Sequence, residues 1–287
     1  MPEMEKENRP GAPKSRLRRR LLKGGLAGIG GLVLADALVL EPGSVVVETL
    51  AMETDRLPPG FRLRLVQLSD LHIGSLESFH QHIIDRVRML APDVILFTGD
   101  YLEERRNIGE VLDFLGELKG LAPSFAVQGN WEYWSRLEGE NLRQKFASRG
   151  VRLLINETAD VGTGLRLLGL DYPSAADSLT RLAGRADRSR FNLLLSHVPA
   201  FEHRLLPPEI DLVLSGHTHG GQVRVPLLPP LYLPRYSGRF VSGLYRVGLN
   251  DTPLYVTRGL GCSILPMRLN CRPELTLIEM TGRQSAS

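Results

Sequence analysis

Leu214-Ser215-Gly216-His217-Thr218-His219-Gly220-Gly221-Gln222 ends a short apolar run in two histidines two residues apart, set among small and polar neighbours. Imidazole is a versatile ligand for divalent metals. An H-x-H pair leaving the end of a buried strand can aim both rings into one crevice. Glycines before and after let backbone pass close to whatever is bound there. Alone, the pair also fits a turn with two solvated histidines. Four other stretches bear on the choice.

Outward from this point the same rhythm recurs. Val45 to Thr54 alternates loosely as a strand, and Leu57-Pro58-Pro59-Gly60 makes a turn. Phe61 to Leu68 reads as a strand that stops at Ser69-Asp70-Leu71-His72. The spacing of Phe79, Ile83, Val87 and Leu90 predicts a helix over Ser78 to Leu90. Val94 to Phe97 is a wholly apolar strand ending in Thr98-Gly99-Asp100. Val111, Leu115 and Leu118 mark another helix, Ser124 to Val127 a strand, and Gln128-Gly129-Asn130-Trp131-Glu132 its exit. A helix around Leu137 to Ser148 then leads to a strand at Val151 to Ile155. Hairpin-like strands at Leu165 to Leu170 and a helix over Leu179 to Ala186 follow. Phe191 to Leu195 runs into Ser196-His197, and Ile210 to Leu214 into the opening stretch. Beyond Gln222 the chain is rich in Pro and Gly, with short strands such as Leu244 to Val247 and Leu254 to Val256. No internal repeat or low-complexity block splits this body.

Five strand ends therefore deliver Asp70 and His72, then Asp100, Asn130, His197, and finally His217 with His219. Ligands in open α/β sheets gather outside the carboxyl ends of strands, so side chains far apart in sequence can converge there. Singly, Asp100 could cap a helix, Asn130 hold a turn and His197 sit in a loop. All of them at strand exits points instead to one site. Seven mixed oxygen and nitrogen donors exceed the need of one tetrahedral zinc and suit two divalent ions sharing a carboxylate.

At 287 residues and 43% hydrophobic content the chain can bury a full core, which excludes a disordered or fibrous protein. The formal net charge of +3 is an end effect. Residues 1–40 hold eight Lys/Arg against four acids, which leaves the remainder about −1 and without a nucleic-acid footprint. Within that leader, Arg18-Arg19-Arg20-Leu21-Leu22-Lys23 precedes Gly24 to Leu40, a Gly/Ala/Leu/Val stretch broken only by Asp36. The paired arginines resemble a twin-arginine export signal, with Leu17 standing where Ser or Thr is usual. Ala35-Asp36-Ala37 is a weak cleavage site. The alternative is an uncleaved anchor in the cytoplasmic membrane, for which the stretch is short of the ~20 apolar residues a span prefers. Residues 1–40 are thus expected to be a signal or membrane anchor, and 41–287 one domain in the cell envelope.

The order SDLH, GDY, GNWE, SH, GHTHGG resembles the calcineurin-like metallophosphoesterase family, from about Gln67 to Gln222. Gly259-Leu260-Gly261 and Asn270-Cys271-Arg272-Pro273-Glu274 are similar to its exported or membrane-anchored branch of YkuE-like and YaeI-like phosphodiesterases. The resemblance implies an α/β (α+β) fold, a four-layer αββα sandwich of two mixed β-sheets flanked by helices. It implies that Asp70, His72 and His219 hold a first metal, that Asn130, His197 and His217 hold a second, and that Asp100 bridges. The activity implied is hydrolysis of a phosphate ester by a metal-bridging hydroxide, with no protein nucleophile. Two divalent ions, Mn²⁺, Fe²⁺/³⁺ or Zn²⁺, would clamp the phosphoryl group and lower the pKa of a shared water.

Trp131 departs from that pattern, because the family usually carries His after GN, where it contacts phosphate and helps the leaving group depart. Indole cannot be a general acid near pH 7. A leaving alkoxide needs protonation and a leaving phosphate does not, so the loss costs least with a phosphoanhydride or an aryl ester. A pyrophosphatase of the UDP-diacylglucosamine type in lipid A synthesis is therefore an alternative to a phosphodiesterase. His80, His82 or His203 could otherwise supply the proton. The substrate class is a phosphate ester or pyrophosphate, lipid-linked and cell-wall-linked compounds included. A non-catalytic metal-binding or scaffold module at the membrane is the remaining alternative, with Trp131 its only support.

Trp131, Tyr133 and Trp134 could stack on a base or sugar, meet a lipid surface, or plug the space under the metal loop. Arg235, Arg239, Arg268 and Arg272 read by default as scattered surface arginines, with phosphate binding as the alternative. Cys262 and Cys271 are the only cysteines, and in an exported protein they could be bridged or free.

Overall fold

The computed structural model describes residues 31–162, 164–172, 176–199, 201 and 206–284. In chain order the body runs β1 (Val46–Thr54), β2 (Arg62–Leu68), α1 (Ser78–Leu90), β3 (Val94–Phe97), α2 (Ile108–Leu118) and β4 (Ser124–Ala126). Next come α3 (Asn130–Trp134), α4 (Gly139–Ser148), β5 (Val151–Leu153), β6 (Glu157–Val161), β7 (Leu165–Leu170) and α5 (Ala176–Ala183). The last strands are β8 (Phe191–Ser196), β9 (Leu212–Ser215), β10 (Gly243–Val247), β11 (Thr252–Val256) and β12 (Glu274–Gly282). They form two six-stranded sheets, ordered β1-β12-β2-β3-β4-β5 and β10-β11-β9-β8-β7-β6. Each is mixed: β2 to β5 and β7, β8, β9 and β11 run parallel, while β12 opposes β2 and β6 and β10 are antiparallel edges.

The strands are apolar on both faces because both faces are covered. In β2, Leu65 packs toward the second sheet while Val66 and Leu68 pack toward helices. β3 divides likewise, with Val94 and Leu96 inside and Ile95 and Phe97 outside. Leu167, Leu193 and Leu214 complete the layer between sheets, and Leu168, Leu194 and Val213 meet Leu179 and Leu182 of α5 on the far side. Helix, sheet, sheet and helix are thus the four layers of the expected αββα sandwich. Each layer boundary is an apolar core.

Several elements differ from the sequence reading, with α3 and β6 lying where no helix or strand was expected. Helix α5 starts earlier and stops at Ala183, because Gly184 follows in a turn, as glycine commonly does at a helix end. Strand β12 was not foreseen, although it lies between β1 and β2. Its inward Glu274 and Thr276 break the apolar pattern, and Glu274 is satisfied inside by Tyr255 Oη at 2.7 Å and Arg258 Nε at 2.9 Å.

Residues 31–43 are helical, with a π-helical stretch at Asp36–Leu40. The carbonyl of Ala37 accepts from Arg268 N at 2.8 Å, and the buried Glu41 carboxylate accepts from the backbone N–H groups of Asn270 (2.8 Å) and Cys271. The end of the segment read as a leader is therefore joined to the body. Among the described residues no helix is long and apolar enough to cross a membrane. Arg18, Arg19 and Arg20 lie outside the described residues.

Candidate metal centre

Strands β2, β3 and β4 of one sheet and β8 and β9 of the other all end at one crevice. The turns leaving them place Asp70, His72, Asp100, Asn130, His197, His217 and His219 together, all buried. Gln67, at the end of β2, ties the sheets there by donating to Thr98 Oγ1 (3.0 Å) and to the carbonyl of Ser215 (3.2 Å). Turning the side chains inward costs backbone strain. Asp70, His72, Asp100, His217 and His219 all have left-handed φ, between +45° and +71°. Such conformations are uncommon outside glycine and concentrate at functional sites. The glycines beside them allow the close approach. A Cβ on Gly99 (φ +94°) would lie 2.7 Å from His197 Nδ1, and one on Gly129 would collide with Asp100 Oδ1.

The donors form two clusters. Asp70, His72 and His219 offer one set of ligand atoms within 4.8 Å of one another, and Asp100, His197 and His217 another. Asn130 joins the second through Oδ1, 3.0 Å from His197 Nε2. Asp100 lies between them, with Oδ2 3.2 Å from His197 Nε2 and 3.7 Å from His72 Nε2.

Hydrogen bonds behind the rings decide which nitrogen faces the site. His197 Nδ1–H donates to the Thr98 carbonyl (2.8 Å), leaving Nε2 inward, and His217 Nε2–H donates to the Arg235 carbonyl (2.6 Å), leaving Nδ1 inward. Those two inward nitrogens are 3.1 Å apart, and the Nε2 atoms of His72 and His219 also approach to 3.1 Å. Lone pairs that converge so closely want a cation between them, and outer partners of this kind are how metal-binding histidines are oriented. The donor set fits two divalent ions.

Electrostatics agree. Burial lowers the pKa of His72 to about 4 against the pull of Asp100. Burial and then His197 lower His217 to about 4, and burial and then His72 push His219 well below the usual imidazole value. These rings are neutral near pH 7 and can ligate. His197 differs: burial disfavours its charge, but Asp100 outweighs that and raises the pKa to about 9, so without metal Nε2 holds a proton toward Asp100 that a bound cation would displace. Burial would raise Asp100, yet His197 and His72 turn the net shift downward. Burial raises Asp70 to about 6, Asp100 adding to it. The crevice thus keeps Asp100 ionised and concentrates positive charge beside it.

Of the alternative proton donors, His80 and His82 are not part of this cluster. His80 is buried on α1 and accepts from Glu77 N, His82 is engaged by Arg86 on the surface of α1, and His203 lies outside the described residues. Trp131 stands half-buried with its ring edge-on to His72, centroids 5.0 Å apart. The aromatic group is no buried plug: Trp134 is 66% exposed, and Tyr133 Oη donates to Asp171 at 2.6 Å. Arg235, Arg239 and Arg272 are exposed, but Arg268 is fully buried and donates to the carbonyls of Arg258, Gly259, Gly261 and Cys271, bracing the loop beside Asp70. Cys262 and Cys271 are free thiols, and Cys271 Sγ donates to the His219 carbonyl.

Sequence reading assigned no role to Glu132. Its carboxylate, wholly buried, accepts the backbone N–H groups of Gly129, Asp100 and Tyr101. The signal was visible as the acid two residues after Asn130. Thr98 and Arg235 act through main-chain oxygens, which side-chain identity does not reveal.

The family model for calcineurin-like phosphoesterases matches residues 63–221, more than half of the chain. The phosphodiesterase YaeI of Escherichia coli is 33% identical over 255 residues, covering 84% of this chain and 90% of that protein. The metallophosphoesterase YkuE of Bacillus subtilis is 28% identical over 290 residues (93% and 98%), and its YkoQ is 30% identical over 243 residues (81% and 89%). With two clusters of metal donors at the strand ends and these similarities, the chain belongs to the calcineurin-like phosphoesterase family and is a metal-dependent phosphoester hydrolase.

Proposed function

We propose that the protein hydrolyses a phosphodiester or phosphoanhydride at two divalent ions, one held by Asp70, His72 and His219 and the other by Asn130, His197 and His217, with Asp100 shared. The observation that carries this is the position of Asp100 Oδ2, which faces His72 on one side and His197 on the other. When bound, two such ions polarise a phosphoryl oxygen and make hydroxide available near neutral pH. The chain's own residues orient and neutralise. Asp100 would supply negative charge to both cations, Asn130 would add an oxygen donor without further charge, and the Thr98 and Arg235 carbonyls fix the ring tautomers of His197 and His217.

Trp131 shapes the choice of substrate. Its indole beside His72 offers no proton near pH 7, so a good leaving group is favoured, an aryl ester or a phosphoanhydride. That observation supports a pyrophosphatase of the UDP-diacylglucosamine type as the second reading. Purified protein assayed with Mn²⁺, Fe²⁺ or Zn²⁺ against an aryl phosphodiester, an alkyl phosphodiester and a nucleotide-linked pyrophosphate is the test, with EDTA as control. Turnover of the first and third with little of the second is expected. Metal binding without hydrolysis of any would leave a scaffold module instead.

Residues 1–40 are proposed to place this domain at the cell envelope, by export or as an anchor. Replacing Arg18 and Arg19 by Lys keeps charge but removes the paired guanidinium groups, and the folded protein should then accumulate in the cytoplasm. Unchanged localisation would favour a general anchor.

A further inference from the structure

Beside the metal centre lies a cavity of about 410 Å³, bounded at its inner end by Thr218 and His219 and walled by Val223, Leu231, Ile264 and Met267. Apart from the metal donor His219, no ionisable side chain other than Tyr232 lines it. Its outer rim is apolar and open to solvent: Ile264 is 77% exposed and Leu231 67%, with Leu227, Leu228 and Leu265 beside them in the same loops. Ile264 and Leu265 also border a second cavity, of about 570 Å³, that reaches His72 and is walled by Leu38 and Val39 of the N-terminal helix. That helix turns Leu32, Val33, Leu34 and Leu40 to solvent as well. The chain before it carries Arg18-Arg19-Arg20 and Lys23, then seven uncharged residues from Gly24 to Gly30.

Exposed apolar side chains clustered in this way are rarely left bare on a soluble monomer, although Glu77 and Glu103 also line the second cavity. Here an apolar helix and two apolar loops lie around the mouth of a phosphoesterase site, and the sequence ahead of that helix is cationic, a composition suited to a surface that lies on anionic lipid. We propose that the groove between the Gln222–Pro234 and Ser263–Met267 loops takes the hydrocarbon chain of a phosphate-bearing lipid. The occupant follows from continuity. The groove ends at His219, so a phosphate placed between the two donor clusters has its chain directed along Val223 and Leu231 toward the exposed rim. The walls carry no charge, and Val223, Leu231, Ile264, Leu265 and Met267 along them suit methylenes. This inference rests on the phosphoesterase reading and names its substrate class.

The test uses the full-length, Mn²⁺-loaded protein with octyl phosphate and ethyl phosphate in calorimetric titrations, and with p-nitrophenyl octyl and p-nitrophenyl ethyl phosphodiesters in turnover. Each buried methylene is worth roughly a fourfold gain in binding, so the octyl compound should bind at least ~30-fold more tightly even if only about half of its six extra methylenes are buried. Leu231→Asp and Ile264→Asp, both at exposed positions that a folded chain tolerates, should each cut that preference to about threefold or less. Leu249→Asp, exposed and outside both cavities, should keep it. Equal binding of the two phosphates by the unaltered protein overturns the proposal, as does a preference that neither groove variant alters. Dimerisation abolished by Ile264→Asp, with no chain-length preference, would assign the surface to a second copy and likewise overturn it. Failure to hydrolyse the ethyl diester, by contrast, counts against the phosphoesterase reading, while the titrations still report on the groove.

Discussion

The backbone N–H of Asp100 donates to Oε2 of Glu132 at 3.0 Å, and both residues are buried. The same carboxylate takes the N–H groups of Tyr101 (2.8 Å) and Gly129 (2.7 Å), so one side chain clasps the turns that present Asp100 and Asn130. Asp100 returns the contact, its Oδ1 accepting from Trp131 N at 2.9 Å. Two strand exits, β3 and β4, are thereby held in one register.

Glu132→Ala leaves three buried N–H groups without an acceptor. Each such group costs roughly 1–3 kcal/mol, so a loss of at least ~3 kcal/mol is expected. At about 2–4 °C per kcal/mol for a chain of this size, Tm should fall by roughly 6 °C or more. Glu132→Gln retains one acceptor oxygen and should fall between. Thermal unfolding of metal-free protein checks this, and an alanine variant as stable as the parent would remove the clasp from the account.

Asp100→Asn tests the shared ligand. It preserves shape and removes the charge that two cations need in order to sit together. Loss of an outer partner of a metal ligand already costs 10–100-fold in affinity, so a shared ligand should cost at least ~100-fold, with activity falling alongside. Metal content by mass spectrometry and turnover of an aryl diester are the readouts. His82→Ala, on the surface of α1, should leave both unchanged.

The strand-exit pattern was legible because parallel sheets buried on both faces write themselves as short apolar runs, and because each run here stops at an Asp, Asn or His. The bounds of α1, β3 and β7 could be read to the residue for the same reason. What could not be read was anything carried by polar groups satisfied in the interior. Strand β12 looks unlike a core strand since Glu274 and Thr276 point inward to Tyr255 and each other. Arg268 looks like a surface charge, and only the carbonyls folded around it explain its burial. Glu132 was in view, but its partners are main-chain N–H groups that no pattern of side chains encodes.

Glu41 marks where the N-terminal helix becomes part of the body. Its carboxylate takes the N–H groups of Asn270 and Cys271, and Cys271 in turn touches the His219 carbonyl. Glu41→Ala frees two N–H groups in the loop braced by Arg268, which should lower stability by about 2–4 kcal/mol in urea unfolding. Glu41→Gln keeps an acceptor and should lose less. Stability within ~0.5 kcal/mol of the parent for the alanine variant would show that the helix is only laid against the domain.

Trp131 stands beside His72, where the proposed reading makes it the reason for a good leaving group. Its backbone N–H is committed to Asp100, and its ring meets His72 edge-on at an interplanar angle of 84°. Trp131→His keeps the main-chain bond and places an imidazole where the indole stands beside the metal donors. If the absent acid restricts the substrate, this change should raise kcat/KM for an alkyl phosphodiester by ~10²-fold or more, because only an alkoxide gains from protonation. A phosphoanhydride leaves as phosphate and should gain little. Both substrates must be compared through kcat/KM, since replacing indole also removes stacking area and weakens binding of either one. A gain confined to the alkyl ester supports the leaving-group argument. Equal losses on both would mean that Trp131 packs His72 or stacks on substrate, and the pyrophosphatase reading would lose its support.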